Sequence, residues 1–271
     1  MDGLNLSTLS KPFIIAGPCV LENRETSLKI AEFLSRQSEK YKIDIIYKAS
    51  FDKANRSSAK SFRGVGLKKG LEILSEVAIR HSLYTTTDIH ESWQIEQVSN
   101  DIDILQIPAF LCRQTDLLLN CAGTGKVLNV KKGQFLSPWD TKNIADKIRS
   151  VSNKEFIFTE RGATFGYNNL VVDFRSFAIM KKYAPYVCFD VTHSIQRPGG
   201  LGDQSTGDRE FVSGLARAGI GMGIDCLFFE IHPEPDKALS DGPNSLNFNE
   251  FEEIMQYIKD YRDFFHATRR S

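Results

Sequence analysis

Eight short apolar runs, separated by polar loops and amphipathic stretches, constrain this chain more than any other feature. The runs are Phe13-Ile14-Ile15-Ala16, Ile43-Asp44-Ile45-Ile46-Tyr47, Leu83-Tyr84-Thr85-Thr86-Thr87 and Ile102-Asp103-Ile104-Leu105-Gln106-Ile107 in the first half. Val127-Leu128-Asn129-Val130, Phe156-Ile157-Phe158-Thr159, Tyr186-Val187-Cys188-Phe189-Asp190-Val191 and Cys226-Leu227-Phe228-Phe229-Glu230-Ile231 follow. Short runs rich in β-branched and aromatic residues read as strands. Helical faces lie between them: Leu28, Ile30, Ala31 and Leu34, then Leu67, Leu71, Leu74 and Ala78. The last clear helix is read over residues 251–264, with Ile254, Tyr257, Ile258 and Tyr261 inward. Eight strands alternating with about eight helices match the size and order of a (β/α)8 TIM barrel. It is expected as a single domain over residues 1–271. A doubly wound open sheet is the alternative. The barrel is favoured because the strands reach both ends of the chain and no Gly-x-Gly-x-x-Gly turn follows the first one.

With 41% hydrophobic residues, the chain has ample material for one sizeable core. Basic and acidic residues number 34 each, so no long-range basic field draws in nucleic acid or an anionic membrane. No apolar run nears the roughly 18 residues of a spanning helix. Residues 1–11 are polar, without an apolar signal segment. The expectation is a cytoplasmic protein with no nucleic-acid or membrane partner. Its five cysteines (Cys19, Cys112, Cys121, Cys188 and Cys226) are odd in number and lack framework spacing. They read as thiols or metal ligands rather than disulfides.

Barrel enzymes carry their chemistry at the C-terminal ends of the strands. Those ends here hold Cys19, then Lys48, Ser50 and Lys53, then Asp88 and His90, then Gln106. Lys131 and Lys132, Glu160 and Arg161, Thr192 and His193, and Glu230 and His232 close the ring. Any one of these alone is ordinarily a strand end meeting water. The cations Lys48, Lys53, Arg56, Lys131 and Arg161 are harder to dismiss, because in a barrel they would converge on one cleft of a neutral protein. Like charges held together in a partly desolvated site call for anionic partners, and phosphate and carboxylate suit both Arg and Lys.

Cys19, His193 and Glu230 would be neighbours once the barrel closes, and Asp241 in Ser240-Asp241-Gly242 can reach them. One thiolate, one imidazole and two carboxylates suit Zn²⁺, Fe²⁺ or Mn²⁺. No local Cys-x-x-Cys supports the set, and a buried cysteine is usually a small hydrophobe. Cys112, Cys121, Cys188 and Cys226 read that way; only the barrel geometry singles out Cys19. His81 and His266 read as surface helix residues, and Phe228 and Phe229 as core. The Gly-rich residues 199–207 read as a phosphate loop or, equally, a mobile lid.

Further segments sharpen the picture. They are Ala16-Gly17-Pro18-Cys19, Lys48-Ala49-Ser50-Phe51-Asp52-Lys53-Ala54-Asn55-Arg56-Ser57, Arg63-Gly64 and Thr87-Asp88-Ile89-His90-Glu91. Gln106-Ile107-Pro108-Ala109-Phe110-Leu111-Cys112-Arg113-Gln114-Thr115-Asp116, Asn129-Val130-Lys131-Lys132-Gly133-Gln134 and Glu160-Arg161-Gly162 follow. Asn169-Leu170-Val171-Val172-Asp173, Phe189-Asp190-Val191-Thr192-His193-Ser194 and Ser240-Asp241-Gly242 complete the set. In order and spacing, the chain resembles the 3-deoxy-D-manno-octulosonate 8-phosphate synthases over nearly its whole length.

The resemblance implies a (β/α)8 barrel and a homotetramer. It implies condensation of phosphoenolpyruvate with D-arabinose 5-phosphate, releasing phosphate, to make the precursor of an acidic lipopolysaccharide sugar. It assigns Lys48, Lys53, Gln106, Lys131 and Arg161 to phosphoenolpyruvate, and Asn55, Arg56 and Ser57 to the sugar. Ser50 and Asp88 would hydrogen-bond the reacting groups, with Lys53, Asp88, Lys131 and His193 as the catalytic set. Phe110 and Arg113 would reach into a neighbouring subunit's site, Arg113 near the sugar phosphate. Metal-free members carry Asn where this chain has Cys19, so Cys19, His193, Glu230 and Asp241 would bind a divalent metal.

The nearest rival is a 3-deoxy-D-arabino-heptulosonate 7-phosphate synthase, which uses erythrose 4-phosphate. Its sugar-side motif has Lys-Pro-Arg-Thr where this chain has Lys53-Ala54-Asn55-Arg56-Ser57. A Schiff-base aldolase would need a lysine at the end of the sixth strand, where Glu160-Arg161 stands. A catalytically silent barrel that binds phosphosugars is the reading from outside enzymology.

Overall fold

Side-chain alternation along each strand decides what the barrel encloses. The computed structural model describes residues 4–56, 58, 60–197 and 206–268. Its barrel strands are β1 (Phe13–Gly17), β2 (Ile45–Lys48), β3 (Thr85–Asp88), β4 (Ile104–Ile107), β5 (Val127–Lys131), β6 (Phe156–Glu160), β7 (Tyr186–Asp190) and β8 (Cys226–Glu230). Neighbours pair in parallel, and β1 pairs with both β2 and β8, so the sheet closes. This is the (β/α)8 TIM barrel the rhythm predicts, and the open doubly wound sheet is set aside.

Phe13, Ile15, Ile46, Ile104, Val127, Ile157, Cys188, Cys226 and Phe228 fill the barrel, and Leu4 and Leu6 pack against them. Two residues further along each strand, the inward positions turn polar: Lys48, Gln106, Asn129, Thr159, Asp190 and Glu230 are all buried. The alternate positions, such as Ile14, Ala16, Tyr47, Leu105 and Val187, belong to the second core between strands and helices. A packed apolar base below a polar mouth is the layered interior expected of this architecture.

The helices longer than one turn are α1 (Arg24–Tyr41), α2 (Leu67–His81), α3 (Ile95–Asp101), α4 (Thr115–Gly123), α5 (Thr141–Val151), α6 (Arg175–Met180), α7 (Val212–Gly221) and α8 (Phe248–Thr268). The α2 face is wider than the sequence pattern suggests, since Ile73 and Val77 are buried along with Leu71 and Leu74. α8 begins before residue 251. Asn247 accepts from Glu250 N at 2.9 Å, and Glu250 accepts from Asn247 N at 2.7 Å. That reciprocal capping box fixes the start. Among the described residues no helix is long and apolar enough to cross a membrane.

One glycine matters for the site. A Cβ on Gly17 would lie 2.0 Å from the Lys48 carbonyl oxygen. Only glycine lets β1 approach β2 this closely, and the contact seats Lys48 beside Cys19.

Candidate active site

The mouth of the barrel holds a cavity of about 570 Å³, walled by residues from the β2, β3, β4, β5, β6, β7 and β8 ends. Its floor is one buried hydrogen-bond chain. Thr159 Oγ1 donates to Asn129 Oδ1 at 2.6 Å, and Asn129 Nδ2 donates to Gln106 Oε1 at 3.0 Å. Gln106 Nε2 donates to Asp88 Oδ1 at 2.5 Å, and Ser50 Oγ donates to Asp88 Oδ2. The donors point toward Asp88, as suits a carboxylate that accepts on both oxygens. Burial pushes the Asp88 carboxyl up, but Lys48, Lys53, His90 and Ser50 outweigh it and hold the group well below the ordinary range.

A carboxyl depressed in the folded state adds stability above its ordinary value near pH 4 and loses it as the pH falls further. Urea midpoints are therefore expected to drop below about pH 4. Asp88→Asn should flatten that drop; an equal slope in the variant would remove Asp88 as its cause.

Four cations stand over this floor. Lys48 is 1% exposed, donates to the Cys19 carbonyl at 3.1 Å and lies 3.7 Å from Glu230. Burial and neighbouring Lys53 lower its pKa. Lys53 also lines the cavity. Burial opposes its charge, yet Cys19, Glu230, Asp88 and Asp241 raise it above the ordinary lysine range. Lys131 donates to Asp190 and lies over the Phe228 ring, 3.5 Å from its centroid. Arg161 is buried; its Nη2 donates to Gln196 Oε1 at 2.8 Å, while Nη1 has no partner.

The acidic cluster sits beside Lys48. Ligand atoms of Cys19, Glu230 and Asp241 lie within 4.8 Å of one another. Cys19 Sγ is 3.0 Å from Asp241 Oδ2 and 2.8 Å from Ser240 Oγ. His193 falls outside that mutual group, but its Nε2 is 3.3 Å from Glu230 Oε1. Local chain geometry sets each donor. Asp190 caps the one-turn helix Val191–Ser194, accepting from His193 N at 3.0 Å. Thr192 Oγ1 accepts from Glu230 N at 3.0 Å. Backbone bonds from His232 to Leu246 and from Leu246 to Glu230 close the loop after β8, which holds Asp241 in the left-handed conformation at φ 50.

Both carboxylate oxygens of Glu230 are buried without a hydrogen-bond partner. Burial, then Asp241 and Glu230, push the Cys19 thiol well above its ordinary value. A thiol and two carboxylates converge here, and the two unpartnered Glu230 oxygens fit a bound cation, whose charge would reverse the thiol's shift. The thiolate, imidazole and carboxylate set fits Zn²⁺, Fe²⁺ or Mn²⁺. The other four cysteines are buried thiols.

Asn55 and half-buried Arg56 line the outer cavity, with Arg56 Nε donating to the Phe62 carbonyl at 3.1 Å. Ser57 and most of residues 199–207 lie outside the described residues. Phe110, 53% exposed, stands on the cavity rim. Arg113 is exposed and is not among the residues that wall its own chain's cavity. Glu160 turns away from the mouth and accepts from the backbone N–H groups of Arg161 and Gly162. The structure adds Asp190, Gln196 and Asn129, to which the sequence reading assigns no role. Asp190 and Asn129 carry a signal as polar residues in inward register with apolar ones; Gln196 lies in the two-residue strand Gln196–Arg197, after the helix Val191–Ser194, and has no such signal. A second cavity of about 510 Å³, beside Phe174 and Phe211, contains none of the expected site residues.

The family model described as the DAHP synthetase I family matches residues 9–266. A Fusobacterium nucleatum protein named 2-dehydro-3-deoxyphosphooctonate aldolase is 52% identical over 243 residues, covering 90% of this chain and 87% of its own. A Synechococcus protein of the same name is 52% identical over 250 residues, covering 92% and 88%. One from Desulfatibacillum aliphaticivorans is 52% identical over 257 residues, covering 95% and 94%.

Proposed function

The chain belongs to the 2-dehydro-3-deoxyphosphooctonate aldolases within the DAHP synthetase I family, and from that membership we propose its reaction. It condenses phosphoenolpyruvate with D-arabinose 5-phosphate and water to give 3-deoxy-D-manno-octulosonate 8-phosphate and inorganic phosphate. The observation that carries this reading is the placement of Lys48, Lys53, Lys131 and Arg161 around one cavity above the Asp88 network.

Phosphoenolpyruvate has two anionic ends. Lys131 and Arg161 hold its phosphate, and Lys48 and Lys53 its carboxylate. Fixing both ends presents C3 to the sugar's aldehyde carbon, an orientation effect worth roughly 7–11 kcal/mol in favourable cases. The enol electron pair forms the new carbon–carbon bond, and water adds at C2. The tetrahedral intermediate then expels phosphate by carbon–oxygen cleavage. Lys53 stabilises charge on the carbonyl oxygen, while Lys131 and Arg161 stabilise it on the departing phosphate. Gln106 and Ser50 hold Asp88 ionised beneath the reacting atoms. Asn55, Arg56 and Ser57 take the sugar side.

A divalent metal (zinc, iron or manganese) held by Cys19, His193, Glu230 and Asp241 supplies orientation or polarisation of the sugar's aldehyde end. The proposed assembly is a cytoplasmic homotetramer in which Phe110 and Arg113 serve a neighbouring subunit's cavity. The exposure of Arg113, off its own cavity wall, supports that role.

Phosphoenolpyruvate carrying oxygen-18 at the enol bridge tests the bond that breaks. The label is expected in the released phosphate. Unlabelled phosphate would mean phosphorus–oxygen cleavage and refute this chemistry.

A further inference from the structure

The phosphate side and the metal side of the cavity share two side-chain bridges. On the first, Lys131 Nζ donates to Asp190 Oδ2, and the same oxygen stands 2.7 Å from His193 Nδ1. That Nδ1 is nevertheless left without an aligned hydrogen-bond partner. The other Asp190 oxygen is already engaged by His193 N at 3.0 Å and Thr192 Oγ1 at 3.4 Å. Asp190 itself is fully buried. The second bridge runs from Arg161 Nη2 to Gln196 Oε1 at 2.8 Å, and from Gln196 Nε2 to Asp241 Oδ1 at 3.1 Å. Each phosphate-side cation is therefore one side chain away from a metal-side donor.

We propose that phosphoenolpyruvate and the metal reinforce each other's binding through Asp190 and Gln196. The proposal rests on the functional reading above. A bound phosphate draws Lys131 into the cavity and off Asp190. The freed oxygen then aligns with the Nδ1 hydrogen of His193 and fixes the ring with Nε2 toward Glu230, as a carboxylate behind a ligating histidine does. Phosphate on the unpartnered Nη1 of Arg161 pins the guanidinium, and Gln196 keeps its amide N–H on Asp241. Asp241 Oδ2 thereby stays against Cys19 Sγ. The coupling is reciprocal by linkage, so either ligand reports on the other.

Calorimetry of phosphoenolpyruvate binding to the full chain, metal-stripped and zinc-loaded, tests this. Zinc is expected to tighten phosphoenolpyruvate by roughly fivefold or more in the wild type. In Asp190→Asn/Gln196→Met, which keeps every cation and metal donor, the ratio is expected to fall to about one. A ratio that survives in this variant assigns the coupling to direct charge attraction and overturns the proposal. If that variant does not fold, zinc affinity of Lys131→Met without substrate reads the first bridge. Removing the lysine frees Asp190, so zinc should bind more tightly than in the substrate-free wild type, and an unchanged affinity overturns the proposal. A wild type that binds neither zinc nor phosphoenolpyruvate overturns the functional reading and this proposal with it. Tight binding of both without coupling overturns the proposal alone.

Discussion

Replacing Arg161 by alanine is expected to lower kcat/KM for phosphoenolpyruvate by roughly 10²–10³-fold, the scale of truncating one partner of a buried, hydrogen-bonded charge pair. The argument starts from the side chain's two ends. Nη2 is committed to Gln196 and Nη1 is buried without a partner. An unpartnered buried donor is costly, and an incoming phosphate oxygen satisfies it. Most of the loss should appear in KM, with the melting temperature little changed, because the guanidinium bonds no backbone among the described contacts. Arg161→Lys should remain impaired, since one ammonium cannot serve Gln196 and phosphate in the same fork geometry. Unchanged kinetics in Arg161→Ala would take the residue out of the site.

The second large effect concerns the acidic cluster. Chelation is expected to abolish activity, and Glu230→Gln should weaken metal retention by more than the roughly 10–100-fold typical of outer-shell changes. The Glu230 carboxylate has no hydrogen-bond partner to lose, so the substitution removes donor strength and the charge that faces Lys48 and His193. Cys19→Asn separates two roles for the metal. If the metal only orients the sugar, the variant should stay active and become indifferent to chelators. A folded but inactive Cys19→Asn protein would show that the metal takes part in the chemistry. Elemental analysis of the purified protein, before and after chelation, identifies the ion.

The eight strands were legible because each is a short β-rich run bounded by polar loops, and all eight runs became barrel strands. The helix ends were less so. The Asn247–Glu250 capping box starts α8 earlier than its apolar periodicity suggests. The convergence of the candidate site was legible from strand ends alone, since Lys48, Asp88, Gln106, Lys131, Arg161 and His193 all wall one cavity. Asp190 was hidden inside a run read as apolar, although it is in register with Tyr186 and Cys188 on β7. Its importance comes from contacts with Lys131 and His193, which lie on different segments. Gln196 joins Arg161 to Asp241, 35 residues before it and 45 after it. No local pattern encodes such a bridge. The grouping of Cys19 with Glu230 followed from barrel closure, because β1 and β8 pair with Gly17 opposite Glu230.

The most direct test measures phosphate release from phosphoenolpyruvate by the metal-loaded protein, with D-arabinose 5-phosphate and D-erythrose 4-phosphate offered separately. The account predicts rapid release with the pentose phosphate and little with the tetrose phosphate. Preference for erythrose 4-phosphate, or no release with either sugar, would contradict it.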